Sequence, residues 1–422
     1  MTLLLNVEDY RRRARRVLPR LVFDYIDGGA EDERCLQRNR DALDAVPLVP
    51  ECLRDTSALD IGIELFGRRW NAPFAIAPIG LAGLVRPRGD ASMAAAAQAA
   101  RVPFVLSTAS NTRIDHVRAA APDATLWMQL YVMGERAIAE RVVRRARAAR
   151  FEALVLTVDV PVSGLRERDL RHGFRVPMRL TPATLLDMAR HPGWLLRLAQ
   201  GGMPRFENLL SHHGDSEDSE GGNEAPVSAQ AQAALLSRTM DRTLTWDSLG
   251  WLRKLWDGPL LVKGLLGAED ARRAVRHGAD GIVVSNHGGR QLDAAPASIA
   301  ALPRIVDAVG GRIPVLVDGG IRRGSDVVKA LALGASGTLV GRAPVYGLAC
   351  AGEQGALAVL QLLAQETERT MTLLGATQVR ELGPRHVDRS EFRSPSEQAT
   401  SVPARNENTL GKASIYPASA TA

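Results

Sequence analysis

Cysteine is almost missing from this chain: Cys35, Cys52 and Cys350 are the only three in 422 residues. They are odd in number and far apart. That excludes a disulfide framework and a C-x-x-C metal or redox motif, so no metal site is expected and a reducing cytoplasmic setting fits. Aromatic residues make up 5% of the chain, and the net charge is only +6. There is no zinc-finger spacing, basic heptad helix or aromatic-laced basic stripe, so nucleic acid is not an expected partner. No run reaches the roughly 18 apolar residues that a membrane-crossing helix needs. The opening MTLLLNVEDYRRRARRVLPR has too short an apolar run for a secretory leader, and its charge follows that run. Any membrane contact is therefore expected to be peripheral. A G-x-G-x-x-G after the first strand is also lacking, which argues against a doubly wound dinucleotide-binding sheet.

What is present is a repeated unit. Short apolar runs bounded by Gly or Pro are each followed by an Ala- and Arg-rich helical stretch. The runs at 73–78, 103–108, 126–131, 153–159, 260–264, 281–286, 314–320 and 337–342 read as strands. Near-continuous apolar strands belong to a parallel sheet covered on both faces. Eight of them alternating with helices predict an α/β fold, a single (β/α)8 TIM barrel. In 267–278, acids open the helix, Arg and His close it, and Gly278 supplies a left-handed stop. In 324–334, Ser325 is the expected N-cap.

A parallel barrel carries its chemistry at the carboxyl ends of its strands. In order, those ends read Pro78-Ile79-Gly80, Ser107-Thr108, Gln129-Leu130-Tyr131, Thr157-Val158-Asp159, Lys263-Gly264, Ser285 to Arg290, Asp318-Gly319-Gly320 and Gly341-Arg342. The Gly-rich seventh and eighth ends, with Arg322 and Arg342, suit a phosphate group. The alternative is a pair of tight turns with solvated arginines. His287 is a candidate base, with Asp159 from another strand end to fix its tautomer. Tyr131, Arg166 and Arg290 suit an anionic substrate. Lys263 ends an apolar strand and needs a partner. A Schiff base, an acid such as Asp159 and an anionic cofactor all fit at this point.

The runs 285–291 (SNHGGRQ), 314–324 (PVLVDGGIRRG) and 329–335 (KALALGA), with 18–32, 155–159 and 262–264, resemble the FMN-dependent 2-hydroxy acid dehydrogenase and oxidase family. The likeness covers roughly residues 5–375. The runs 163–170, 191–194, 201–204 and 345–349 resemble its mandelate-oxidising branch. The resemblance implies FMN as cofactor and His287 as base, held by Asp159. Tyr25, Arg166 and Arg290 would bind the substrate carboxylate, with Tyr131 near the hydroxyl. Lys263 would stabilise reduced flavin. Pro78, Ile79, Gly80, Ser107, Gln129, Thr157 and Ser285 would line the ring. Asp318 would take the ribityl hydroxyls, and Gly319, Gly320, Arg322, Gly341 and Arg342 the phosphate. Gly80, where family oxidases tend to carry Ala, leans towards a dehydrogenase that avoids oxygen, and membrane-associated dehydrogenases of the family pass their electrons to quinone; the alternative is an oxidase of the glycolate or lactate type that uses oxygen and releases hydrogen peroxide. A homotetramer or larger ring is also implied.

Two segments break the rhythm. Residues 160–245 form a long insertion after the fourth strand. Within it, 177–209 mixes Leu185, Leu186, Trp194, Leu195, Leu196 and Leu198 with Arg179, Arg190, Arg197 and Arg205. This reads either as a helical cover over the barrel mouth or as a basic amphipathic surface on the inner membrane face. Residues 211–228 are expected to be mobile, and 384–422 disordered. Met133 and Leu165 are expected to shape the side-chain pocket.

Overall fold

A computed structural model describes residues 3–174, 181–202, 204–209 and 240–388. A hairpin, β1 (Ile63–Leu65) and β2 (Arg68–Trp70), precedes eight strands: β3 (Phe74–Ile76), β4 (Phe104–Leu106), β5 (Leu126–Leu130), β6 (Ala153–Thr157), β7 (Leu260–Leu265), β8 (Gly281–Val284), β9 (Val315–Val317) and β10 (Gly337–Val340). The eight pair in parallel, each with its neighbour in sequence, and β10 closes onto β3. All eight expected strands are present, so the fold is a closed (β/α)8 barrel.

Alternation along each strand explains why the runs are apolar throughout. One set of side chains points inwards, among them Ala75, Val105, Trp127, Val155, Leu261, Val283, Leu316 and Leu339. The other set, including Ile76, Phe104, Met128, Leu156, Val262, Ile282 and Val317, packs outwards against the helices. Successive strand residues face opposite sides, and here both sides are dry.

The hairpin was not anticipated. Phe66 (φ 51°) and Gly67 (φ 72°) form its two-residue turn, in the left-handed backbone that twisted hairpins favour. The hairpin plugs the amino-terminal end of the barrel. Trp70 is fully buried, and both Trp70 and Phe66 meet Trp127 edge-on at 5.5 Å. Gly281 and Gly337 begin β8 and β10. A Cβ on Gly281 would touch Phe66 at 3.0 Å, and one on Gly337 would touch Ile63 at 3.3 Å, so the absent side chains make room for the plug.

Three helices lead into the barrel: α1 (Val7–Val17), α2 (Arg20–Asp27) and α3 (Arg34–Asp44). The end of α2 rests on the opposite, carboxyl rim. Arg290 donates to the carbonyls of Tyr25 and Gly28, and Arg342 to those of Ile26, Gly28 and Gly288. Cations thereby meet the negative end of the helix dipole.

Between β6 and β7 the chain forms α4 (Glu167–Arg171), α5 (Pro182–Ala189) and α6 (Pro192–Gly201). Leu185, Leu186 and Leu196 are exposed, as the amphipathic reading expects. Trp194 is not on that face. It is 3% exposed, and its indole donates to the Leu84 carbonyl. The indole N–H needs a partner and finds one inside, which pins α6 to the barrel. Arg179 and 211–228 lie outside the described residues, as does the tail from 389. Residues 384–388 are ordered instead of disordered: Pro384–His386 is a 3-10 turn, and Val387 bridges Leu48.

The helix at 268–276 carries the expected acids, bases and left-handed Gly278. The next expectation fails. Ser325 lies inside helix Gly324–Ala332, and Arg323 is the cap residue. The capping oxygen is Asp326 Oδ2, which accepts from the backbone N–H of Arg322 and Arg323 and meets Arg40 at 2.6 Å. A carboxylate in the first turn serves two donors and also brings a negative charge to the positive end of the helix dipole, which a hydroxyl cannot do. Asp326→Ala should therefore cost about 2–4 kcal/mol in urea unfolding, since it strips a buried ion pair. Ser325→Ala should stay within about 0.5 kcal/mol. Equal losses would return the cap to Ser325.

Candidate active site

The inward register of the strands continues past the apolar core. Two residues beyond Val105, Trp127, Val155, Leu261, Val283 and Leu316 come Ser107, Gln129, Thr157, Lys263, Ser285 and Asp318. One step along each strand turns the interior from apolar to polar. All six are buried. Ser107 Oγ donates to Gln129 Oε1 at 3.2 Å. Lys263 Nζ donates to Ser285 Oγ at 2.7 Å and lies 2.9 Å from Asp318 Oδ2. Burial alone would lower the ammonium's pKa, but Asp318 and Asp159 outweigh it and raise it. The acid beside Lys263 is therefore chiefly Asp318.

His287 stands on the rim with φ 59°, a left-handed backbone that a bulky residue adopts only under constraint. Its N–H donates to Ser285 Oγ at 3.0 Å. Ahead of it, Asn286 and Asn39 of α3 exchange two amide hydrogen bonds of 2.9 and 2.8 Å. His287 Nδ1 lies 2.9 Å from Asp159 Oδ1. A carboxylate only accepts, so Nδ1 carries the proton and Nε2 offers its lone pair. That lone pair faces the Tyr131 hydroxyl at 3.3 Å. Burial pushes the Tyr131 phenol up, so it stays a donor. Burial would also raise the Asp159 carboxyl, but His287 and Lys263 hold it below its usual range.

Around this pair lie the cations. Arg166 and Arg290 stack on the Tyr25 ring at 5.5 and 5.0 Å. Asp169 Oδ2 accepts from Arg166 Nε at 2.9 Å. Tyr25 donates its hydroxyl to the Gly80 carbonyl at 3.3 Å. Burial lowers the pKa of Arg290, and Arg166 beside it adds to this. Burial, with Arg290 and Arg322 near, pulls Arg342 down to about 10. Among the described residues neither Arg290 nor Arg342 has a carboxylate partner; both donate to carbonyls. An anion placed here relieves the charge.

One cavity joins these groups. Tyr25, Pro78, Ile79, Gly80, Ser107, Tyr131, Thr157, Arg166, Lys263, His287, Arg290, Asp318, Gly319, Gly320, Arg322, Gly341 and Arg342 line it. Gln129, Asp159 and Ser285 do not. They stand behind Ser107, His287 and Lys263, and hold them.

The residues fit the expected flavin. Gln129 Nε2, Thr157 Oγ1 and Asp318 Oδ1 are buried without a partner among the described residues. Such atoms cost about 1–3 kcal/mol each unless a ligand bonds them. A ring with hydrogen-bonding edges and a polyol chain suits all three. Gly319 (φ 101°) and Gly320 (φ 87°) hold a backbone that other residues avoid, beside Arg322 and Arg342 where a phosphate would sit.

Among the lining residues that were not anticipated are three large apolar ones from the insertion, Phe174, Phe206 and Met240. Met133 and Leu165 do not line the cavity. Met133 is buried and bridges Met240, and Leu165 is 52% exposed. The three are scattered through the insertion at no regular spacing, so no local pattern marks them.

Comparison with known proteins places the chain. The model of the FMN-dependent dehydrogenases matches residues 14–389. (S)-Mandelate dehydrogenase of Pseudomonas putida is 46% identical over 381 residues, spanning 90% of this chain and 93% of that protein. L-Lactate dehydrogenase of Chromohalobacter salexigens is 44% identical over 376 residues, spanning 89% and 93%. The crystal structure of the monotopic membrane protein (S)-mandelate dehydrogenase superposes with a TM-score of 0.85 at 45% identity, covering 92% of this chain and all of that one. The cavity and these likenesses lead to one conclusion: the chain belongs to the FMN-dependent 2-hydroxy acid dehydrogenase family.

Proposed function

We propose that this protein oxidises an aromatic (S)-2-hydroxy acid such as mandelate to the 2-oxo acid and passes the electrons to a membrane quinone. The observation that carries the aromatic substrate is the wall facing Arg166 and Arg290. Phe174 stacks on Tyr25 at 4.5 Å, and Phe206, Met240 and Val160 complete an apolar lining. Arginines on one side and apolar surface on the other match a carboxylate joined to an aryl group. Burying an aryl ring there contributes about 1.5–3 kcal/mol.

The reaction removes two electrons and two protons from the substrate; bound FMN would take the electrons together with one of the protons, and the other goes to His287. The chain's own residues do the rest. Arg166 and Arg290 fix the carboxylate, with the Tyr25 ring between them. Tyr131 Oη and His287 Nε2 mark the place of the hydroxyl. Nε2 takes a proton, and Asp159 stabilises the imidazolium that forms. Lys263 keeps a positive charge under the reacting centre, where it favours a build-up of negative charge. Such pre-set orientation adds to the rate gain.

His287→Gln should therefore keep bound FMN and its yellow colour yet lose at least about a hundredfold in turnover. Activity near the wild type would remove His287 as the base. Anaerobic mixing with (S)-mandelate, lactate and glycolate in turn should bleach the flavin fastest with mandelate. Admission of air should recolour it slowly, in keeping with Gly80. Bleaching by lactate alone would reassign the substrate, and fast recolouring would make the enzyme an oxidase.

The surface supports the membrane-quinone reading. No described helix is long and apolar enough to cross a membrane. The exposed Leu185, Leu186, Leu195 and Leu196 of α5 and α6 suit the interfacial region of a bilayer, with Arg190 and Arg197 beside them. A structural relative is described as a monotopic membrane protein. Changing the four leucines to serine should release the protein from anionic lipid vesicles while leaving flavin bleaching intact. Unchanged co-sedimentation would dismiss the contact.

A further inference from the structure

Arg166 and Arg168 sit two residues apart at the start of α4. A two-residue step turns the side chain to nearly the opposite side of a helix. Arg166 accordingly faces the cavity, and Arg168 faces away from it, into a cluster of carboxylates. Arg168 Nη1 lies 3.2 Å from Asp27 and 3.8 Å from Asp24, and Nη2 bonds Glu33. Asp24 and Asp27 share one face of α2, and Tyr25 between them turns to the cavity.

The cluster is anchored independently of α4. Asp27 accepts from Arg11 Nε and Nη2 at 2.6 and 2.9 Å, and from the Tyr346 hydroxyl at 2.7 Å. Glu33 accepts from the Gly29 N–H at 2.8 Å, just after α2 ends. The α4 helix, by contrast, has five residues. A helix of that length does not persist on its own, so tertiary contacts must place it.

We propose that Arg168 is a positioning residue for substrate recognition. By docking α4 onto the carboxylates of α2, it sets Arg166 against Tyr25 and so builds the carboxylate clamp. The inference rests on the proposed hydroxy acid reading only for the identity of the substrate. The geometry is that of a rigid two-helix clip: Arg168 closes the outer side, and the Arg166–Tyr25–Arg290 stack forms the inner one. Loss of the outer contact lets α4 drift. A displacement of about 1 Å in an orienting group is enough to lose most of its effect. The damage falls chiefly on ligands with a carboxylate, because His287, Phe206 and Met240 stand on other elements, and Phe174, whose N–H donates to the Asp169 carbonyl of α4, is met alike by acid and amide.

The test titrates FMN-loaded protein with phenylacetate and with neutral phenylacetamide, following the perturbation of flavin absorbance. Arg168→Met should raise the Kd of phenylacetate about tenfold and leave that of the amide unchanged. Arg166→Met should show the same loss, and the double variant should be no worse than Arg166→Met alone, since both act through one contact. Should Arg168→Met fail to fold around its exposed carboxylates, Glu33→Gln loosens the same docking without adding charge and should weaken phenylacetate alone by about threefold. Equal weakening of acid and amide, additivity in the double variant, or an unchanged Kd would overturn the proposal. So would a wild type that binds the amide as tightly as the acid. A wild type that prefers phenylacetate but is not bleached by mandelate would instead sink the functional reading and leave the positioning role standing.

Discussion

Everything in this molecule depends on the two-residue period of eight strands closed into a ring. Closure leaves no strand edge and forces every second side chain into a space too narrow for water. The first inward residues of each strand must therefore be apolar, and they are, from Ala75 round to Leu339. The last inward residues are under the same geometric rule but face the open end. There the chain places Ser107, Gln129, Thr157, Lys263, Ser285 and Asp318. No separate device is needed to aim these groups at one point. The sheet that builds the core also aims the site.

The second level of order is the balance of charge on that rim. Lys263, Arg290 and Arg342 are drawn away from water, and among the described residues only Lys263 of the three is ion-paired with an acid, Asp318. A buried cation without a counter-ion is costly, and the protein accepts that cost where an anion is to be received. The same economy appears in negative form outside the cavity. Asp24, Asp27 and Glu33 crowd together and are matched by Arg11, Arg168 and His172. One cluster leaves its arginines without acids; the other pairs acid with base and serves as mortar.

Much of this was legible in the sequence because strands and strand ends carry local signals. Apolar runs between Gly and Pro marked all eight barrel strands, and a polar residue at nearly every end marked the rim. His287, Asp159, Lys263 and the rim arginines were found that way, and the structure brings them together. What escaped was set by contacts distant in sequence. Phe66-Gly67 gives a turn, but only Trp127 explains why the hairpin exists. Phe174, Phe206 and Met240 meet in space without any shared period. Ser325 looked like a cap because its neighbour's carboxylate, one residue on, could not be weighed without knowing the reach of Arg40. Whether Trp194 packed inwards or faced out stayed open, because the Leu84 carbonyl that receives it is 110 residues away.

The end of α2 has a consequence for how the chain assembles. Its last carbonyls hang on Arg290 and Arg342, residues supplied by the loop after β8 and the turn after β10. Neither arginine is in place until the ring has closed. The stretch that carries Tyr25 is thus tied to partners more than 260 residues further along the chain, and its seat at the barrel mouth exists only where the whole ring is assembled.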